Sequence, residues 1–260
     1  MFSSISATRT WSVVGVISGV GVGVVAGVVF GVRAVVGSGV CVGVVVEGAD
    51  EVYLVDTVAS LYGRNHMGPL LEKVAKKVFV PLTASGGIRT VHDAELLFGF
   101  GADKVGLNTS TFENQVLIPG IAEKYGSQSV VGSIHAKRIN DGWECLVEQG
   151  RERTGVNLEK RIQQLIAMGV GEILVTSVDN DGVQGGFDTE LAQVAESVCT
   201  VPLVLGGGCG SMAHVTDVLK QANLSGVALG SSLHYGKFTI GELKNEINKT
   251  SKLSEEITNA

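Results

Sequence analysis

Two stretches of this chain repeat one another 121 positions apart. Gly48-Ala49-Asp50-Glu51 before Val52-Tyr53-Leu54-Val55 is answered by Gly169-Val170-Gly171-Glu172 before Ile173-Leu174-Val175-Thr176. Val80-Pro81-Leu82 leads into Ser85-Gly86-Gly87-Ile88, and Val201-Pro202-Leu203 leads into Gly206-Gly207-Gly208. Asn108-Thr109 and Gly230-Ser231 close the two copies at nearly the same offset. Apolar strands ending in glycines, doubled over half a chain length, predict two half-barrels. Glycine admits unusual φ values and close approach, so such strand ends present bare N–H groups to an anion. Two such ends half a barrel apart suit a long ligand with a phosphate at each end.

The chain's 260 residues fit one (β/α)8 barrel, for which about 250 residues is typical. From Glu47 onward, apolar runs of four to six residues alternate with helical patterns, the signature of βαβ units and a parallel sheet. Strands are predicted at Val52–Val55, Val78–Thr83, Lys104–Leu107, Ser129–Ile134, Ile173–Ser177, Leu203–Leu205 and Gly226–Leu229. Helices are predicted at Leu70–Lys77, Val91–Phe98, Leu158–Met168, Glu190–Val198, Met212–Gln221 and Ile240–Asn248, with Thr90 and Asp93 as a cap. The long connection from His135 to Asn157 contains Asp141-Gly142 and reads as a small hairpin over the barrel mouth.

Residues 1–47 are atypical, rich in valine and glycine, with Arg33 the only charged residue between Arg9 and Glu47. A barrel needs its first βα unit here, and Trp11 to Ile17 supplies a strand but little pattern for a helix. By hydropathy alone Thr10 to Val32 is also long enough to span a membrane; the βα unit is the preferred reading, ahead of an anchor or a targeting peptide. Residues 48–250 are then the phosphate-binding barrel and 251–260 a polar tail.

A net charge of −6 argues against a nucleic-acid surface. The four cysteines, Cys41, Cys145, Cys199 and Cys209, have neither CxxC nor metal-ligand spacing. They read as thiols in a reducing cytoplasm. No metal and no cofactor is expected.

Further motifs sharpen the reading: Ser133-Ile134-His135-Ala136-Lys137-Arg138, Gly142-Trp143-Glu144, Gly150-Arg151-Glu152-Arg153-Thr154-Gly155 and Thr176-Ser177-Val178-Asp179-Asn180-Asp181-Gly182. With these, the chain from Gly48 to Ile247 resembles the cyclase subunit of imidazole glycerol phosphate synthase. The sister isomerase of histidine biosynthesis shares the duplicated barrel and the bisphosphate substrate but not the pattern Ala136-Lys137-Arg138, Gly142-Trp143-Glu144 and Gly150-Arg151-Glu152. The resemblance implies a barrel that takes ammonia from a glutaminase partner at its N-terminal rim. The ammonia reacts with a bisphosphorylated ribotide to give imidazole glycerol phosphate and an aminoimidazole carboxamide ribotide.

The resemblance also implies residue roles. Phosphate contacts fall on Gly86, Gly87, Asn108 and Thr109 in one half, and on Gly182, Gly207, Gly208, Gly230 and Ser231 in the other. Glu51, Lys104 and Glu172 form a salt-bridged ammonia gate, with Arg9 as a further member. Asp179 and Asp181 orient substrate hydroxyls. The family's two catalytic aspartates follow strands 1 and 5; here the strand-5 position is His135, and no Asp, Glu or Lys precedes Glu47. A histidine can transfer protons near neutral pH but cannot supply a carboxylate's charge. Leu61-Tyr62-Gly63-Arg64-Asn65 and Leu233-His234-Tyr235 look more like a divergent branch linked to amidation of surface-polysaccharide sugars. A non-catalytic bisphosphate-binding or partner-scaffolding barrel is the third reading.

Overall fold

The computed structural model describes residues 12–18, 32–35, 41–44, 48–56, 67–76 and 78–258. Eight parallel strands close into a ring: β1 (Ser12–Ser18), β4 (Glu51–Val55), β5 (Leu82–Ser85), β6 (Lys104–Leu107), β7 (Val130–Ile139), β10 (Glu172–Ser177), β11 (Leu203–Gly206) and β12 (Gly226–Leu229). Closure comes from β1, which pairs with β12 on one side and β4 on the other, and from the β7–β10 seam joining the two halves. This is a (β/α)8 barrel. The strand expected at Trp11 to Ile17 is thus present, one residue later. As a barrel strand, Ser12–Ser18 cannot belong to a membrane helix over Thr10 to Val32. After it, β2 (Val32–Val35) and β3 (Cys41–Val44) form a separate antiparallel pair.

Helices follow the strands on the outside: α1 (Gly68–Ala75), α2 (Val91–Gly99), α3 (Ser110–Glu113), α4 (Leu117–Tyr125), α5 (Leu158–Met168), α6 (Thr189–Val198), α7 (Met212–Gln221), α8 (Ser231–His234) and α9 (Ile240–Thr258). Thr90 caps α2 through a full capping box with Asp93, which satisfies two orphan N–H donors. No helix among the described residues is long and apolar enough to cross a membrane.

Three elements depart most from their expected bounds. The strand expected at Val78–Thr83 begins only at Leu82, because Val78 N–H still bonds the Val74 carbonyl of α1 and Pro81 has no N–H to give a ladder. The strand expected to end at Ile134 runs on to Ile139, since β8 (Gly142–Val147) and β9 (Glu152–Asn157) continue its antiparallel pairing. The helix expected to stop at Asn248 runs to Thr258, so most of the polar tail 251–260 is helical.

The period-two alternation of the strands sorts the core into two layers. Val52, Leu54, Ile173, Val175, Val227 and Leu229 face outward into the cluster shared with the helices. Tyr53, Val55, Val131, Leu174, Val204 and Ala228 face inward and meet one another across the barrel axis. The Tyr53 hydroxyl reaches the space that a side chain at Gly106 would fill. The barrel axis is therefore packed, not open, at this level.

The repeat is a repeat of geometry. Val52 N–H bonds Pro81 O and Ile173 N–H bonds Pro202 O, both at 2.9 Å. Arg89 N–H is held by the Asp93 side chain, and at the matching place in the second half Gly210 N–H is held by His214 Nδ1.

Candidate active site

Both glycine pairs lie where strands β5 and β11 end, on the same C-terminal face. Gly86 and Gly87 have φ of 108° and 72°, and Gly207 and Gly208 have 86° and 104°. A Cβ on Gly86 would strike the Asp56 carbonyl oxygen, and one on Gly207 would strike that of Ser177, its counterpart. Only glycine fits either place.

In the first half the structure brings Gly86, Gly87, Asn108 and Thr109 around one cleft of about 300 Å³, completed by Arg89, Ser110, Glu148 and Gln149. The Thr109 hydroxyl accepts from Glu148 N–H at 3.1 Å, which leaves its own proton to donate. In the second half the loop after β10 folds down on the glycines. Gly186 N–H donates to Gly208 O at 2.8 Å, Gly182 sits in the turn of that loop, and Gly230 caps α8 with Ser231 as its first residue. Helices α3 and α8 start at equivalent points of the two halves.

His135 lies near the C-terminal end of the barrel portion of β7, on the inward face. Its Nδ1 is 3.1 Å from Asn108 Nδ2, and the same Asn108 nitrogen donates to Leu146 O at 3.1 Å. Burial pushes the imidazole down to about 4, so the ring is neutral at pH 7. At the end of β1, the backbone register sets Ser18 beside Val55.

The two aspartates after β10 are differently placed. Asp179 accepts from Lys137 Nζ at 2.9 Å and from Arg138 N–H at 2.7 Å. Against the upward push of partial burial, these donors hold its carboxyl below the usual range. It ties the hairpin to the β10 loop and is committed to that contact. Among the described residues no cation pairs with Asp181; enclosing protein raises its carboxyl, against the Gly182 N–H, and its Cα lies against Gly207. Of the two, Asp181 is the one at the glycine mouth.

The hairpin is held by the residues of its own motifs. The Arg138 guanidinium stacks 4.4 Å over the Trp143 ring and reaches Asp188 and Glu190 of the α6 start. Trp143 Nε1 donates to Asp188 at 3.1 Å, and Glu144 pairs with Arg153 and accepts from Gly155 N–H. Its β8–β9 turn carries Glu148 and Gln149, with φ of 48° and 58°, across the first-half cleft.

At the opposite rim, Lys104 Nζ lies 2.9 Å from both Glu51 oxygens and 2.6 Å from Glu172 Oε2. Each heads its strand on the inward face, so the expected set converges around one ammonium. Arg9 lies outside the described residues.

Three contributors were not read from the sequence. Arg161 is buried on α5, stacked 3.7 Å over Phe112, and donates to the Thr111 hydroxyl, which in turn bonds Asn108 O. Burial pulls its guanidinium down to about 10. The signal was present: Leu158, Arg161, Ile162 and Leu165 form one stripe, with a cation at a core position. Glu148 and Gln149 reach the cleft only through the hairpin fold, and no local pattern announces them. Among the described residues, no group of three or more His, Cys, Asp or Glu is placed to hold a metal ion.

A duplicated (β/α)8 barrel with glycine-ended strands and ionisable groups gathered at its C-terminal mouth is an enzyme-type barrel. The family model for histidine biosynthesis protein matches residues 11–239, and the chain belongs to that family. The family comprises barrel enzymes of histidine biosynthesis, the isomerase and the cyclase among them.

Proposed function

We propose that this chain is a cyclase-type subunit. It joins ammonia from a glutaminase partner to a bisphosphorylated ribotide, yielding imidazole glycerol phosphate and an aminoimidazole carboxamide ribotide. The observation that carries the choice of cyclase over isomerase is the β7–β9 extension. Arg138, Trp143 and Glu144, residues of the motifs that set the cyclase apart, are the ones that hold it, and its turn reaches the first-half cleft. The duplicated glycine ends support one phosphate near Gly87 and Thr109 and another near Gly208 and Ser231. Asp181 faces the substrate's middle and His135 stands at the reacting centre.

Docking at the N-terminal rim is supported by the Glu51–Lys104–Glu172 cluster and by Phe79, which is 95 % exposed just before β5 on that rim. The partner would deliver ammonia there, and the packed layer around Tyr53 must move to let it pass.

The test is ammonia-dependent turnover of the ribotide by purified protein, alongside binding of a bisphosphate analogue. Loss of a well-placed acid–base group costs about 10²- to 10⁴-fold, so we expect turnover that much below a carboxylate-bearing cyclase, with binding retained. His135→Asp should raise the rate. Absence of bisphosphate binding at millimolar concentration would overturn the reading. The neutral imidazole in a carboxylate's place favours one second reading, a divergent cyclase-like subunit in amidation of surface-polysaccharide sugars. Bisphosphate binding without ribotide turnover in either form would select it or a scaffolding role.

A further inference from the structure

Asn108 lines the first-half cleft, and its side-chain nitrogen has two neighbours beside it. It donates to Leu146 O at 3.1 Å and lies 3.1 Å from His135 Nδ1. A backbone carbonyl oxygen can only accept, so Leu146 fixes which end of the amide faces it: the NH2 end. The second hydrogen of that group then points at His135 Nδ1, which must be the bare, accepting nitrogen. A neutral imidazole carries one proton, and it is left on Nε2.

Three neighbouring strands make this arrangement hard to undo. His135 on β7 and Leu146 on β8 are direct partners in the antiparallel register, so one hairpin fixes both ends of the bridge. Asn108 follows β6, next to β7, and its backbone is braced from behind by Thr111, itself held by Arg161. Around the ring stand Thr176, its partner on β10, and Val178 and Gly150, which pack together beside its Cβ. Of the ionisable groups near the mouth, Lys137 is tied to Asp179, while Asp181 and Glu148 sit on the flanking loops. Burial alone accounts for the low basicity of the ring.

We propose that Asn108 is a positioning residue, oriented by the Leu146 carbonyl, that locks His135 as the neutral Nε2–H tautomer, so that His135 offers an uncharged hydrogen bond to a substrate oxygen or nitrogen. This deepens the reading of His135 as the group at the reacting centre and rests on it. The consequence is a change of chemistry at this position. A carboxylate can take a proton and carry negative charge; a locked neutral imidazole polarises a carbonyl or imine without exchanging charge with solvent, a role known for neutral histidines in other barrels.

The experiment is long-range proton–nitrogen correlation spectroscopy on the ¹⁵N-labelled protein, with the His135 signals assigned through their loss in His135→Asn. We expect an unprotonated Nδ1 and a protonated Nε2 from weakly acidic to weakly basic pH. In Asn108→Asp a carboxylate faces Nδ1, so the proton should move to Nδ1 and the ring should titrate above its ordinary 6.5. In Asn108→Leu, which keeps the volume but removes the donor, both tautomers should appear. A wild-type ring protonated at Nδ1 overturns the lock, and so does a tautomer unchanged in both variants. If the aspartate variant does not fold, the leucine variant and the wild-type spectrum decide. Turnover is read separately. An Nε2–H ring in a protein that never consumes the ribotide faults the proposed reaction and leaves the lock standing. An Nδ1–H ring faults the lock whatever the turnover.

Discussion

Individual residues carry the duplication down to single atoms. Gly86 and Gly207 are each required by a carbonyl oxygen lying where a Cβ would go, at φ values that side chains rarely adopt. Gly86→Ala and Gly207→Ala should each lower the unfolding free energy by about 1–3 kcal/mol in denaturant melts. Their effects should add, since they belong to opposite halves. His135 makes a different prediction. Its folded value of about 4 lies below the ordinary 6.5, so below 6.5 the unfolded chain takes up a proton that the folded one refuses. Stability should therefore be full above that pH and fall as the pH drops toward 4, by about 1–2 kcal/mol given the ring's partial exposure. Comparing melts of the wild type and His135→Asn over this window isolates the contribution; parallel curves would refute it.

Among the elements, the β7–β9 hairpin shows how a surface extension becomes part of the mouth. Asp188 joins it to the body of the barrel: one carboxylate caps α6 through Leu191 N–H and accepts from Trp143 Nε1 and Arg138. Asp188→Ala should cost about 2 kcal/mol, roughly half for the lost cap and half for the orphaned indole N–H. The hairpin should loosen with it, read as faster proteolysis near residues 140–150. Most of the elements were legible because each depends on near neighbours in the chain. The alternation of β10 and β12, the stripe of α5 and the Thr90–Asp93 cap are all complete within a dozen residues. Elements mis-bounded from the sequence are those whose ends depend on distant partners. Pro81 and the overrun of α1 delay β5, and β8 extends β7 beyond Ile134.

For the whole molecule, the N-terminal rim links three strands through one cation. Against the penalty of burial, Glu172 and Glu51 hold the Lys104 ammonium above its ordinary 10.5. That stability is fully present below 10.5 and is lost as the pH rises through the higher folded value. Lys104→Met leaves two half-buried carboxylates without their cation. It should cost about 3 kcal/mol at neutral pH and flatten the alkaline end of the stability curve. An unchanged alkaline melting profile in Lys104→Met would refute this account.

By itself the sequence determined the barrel, its two halves and the face on which the glycines lie. Those facts are written in periodicities and in a spacing of 121 residues, and a period of two says which way each side chain points. It does not say what waits there. Only the folded barrel sets Lys104 between Glu51 and Glu172, puts Arg161 behind Asn108 and brings the Asn108 amide nitrogen to His135 and Leu146. A hydrogen bond is won by whichever partner stands about 3 Å away, and in a closed sheet those partners come from strands far apart in the chain.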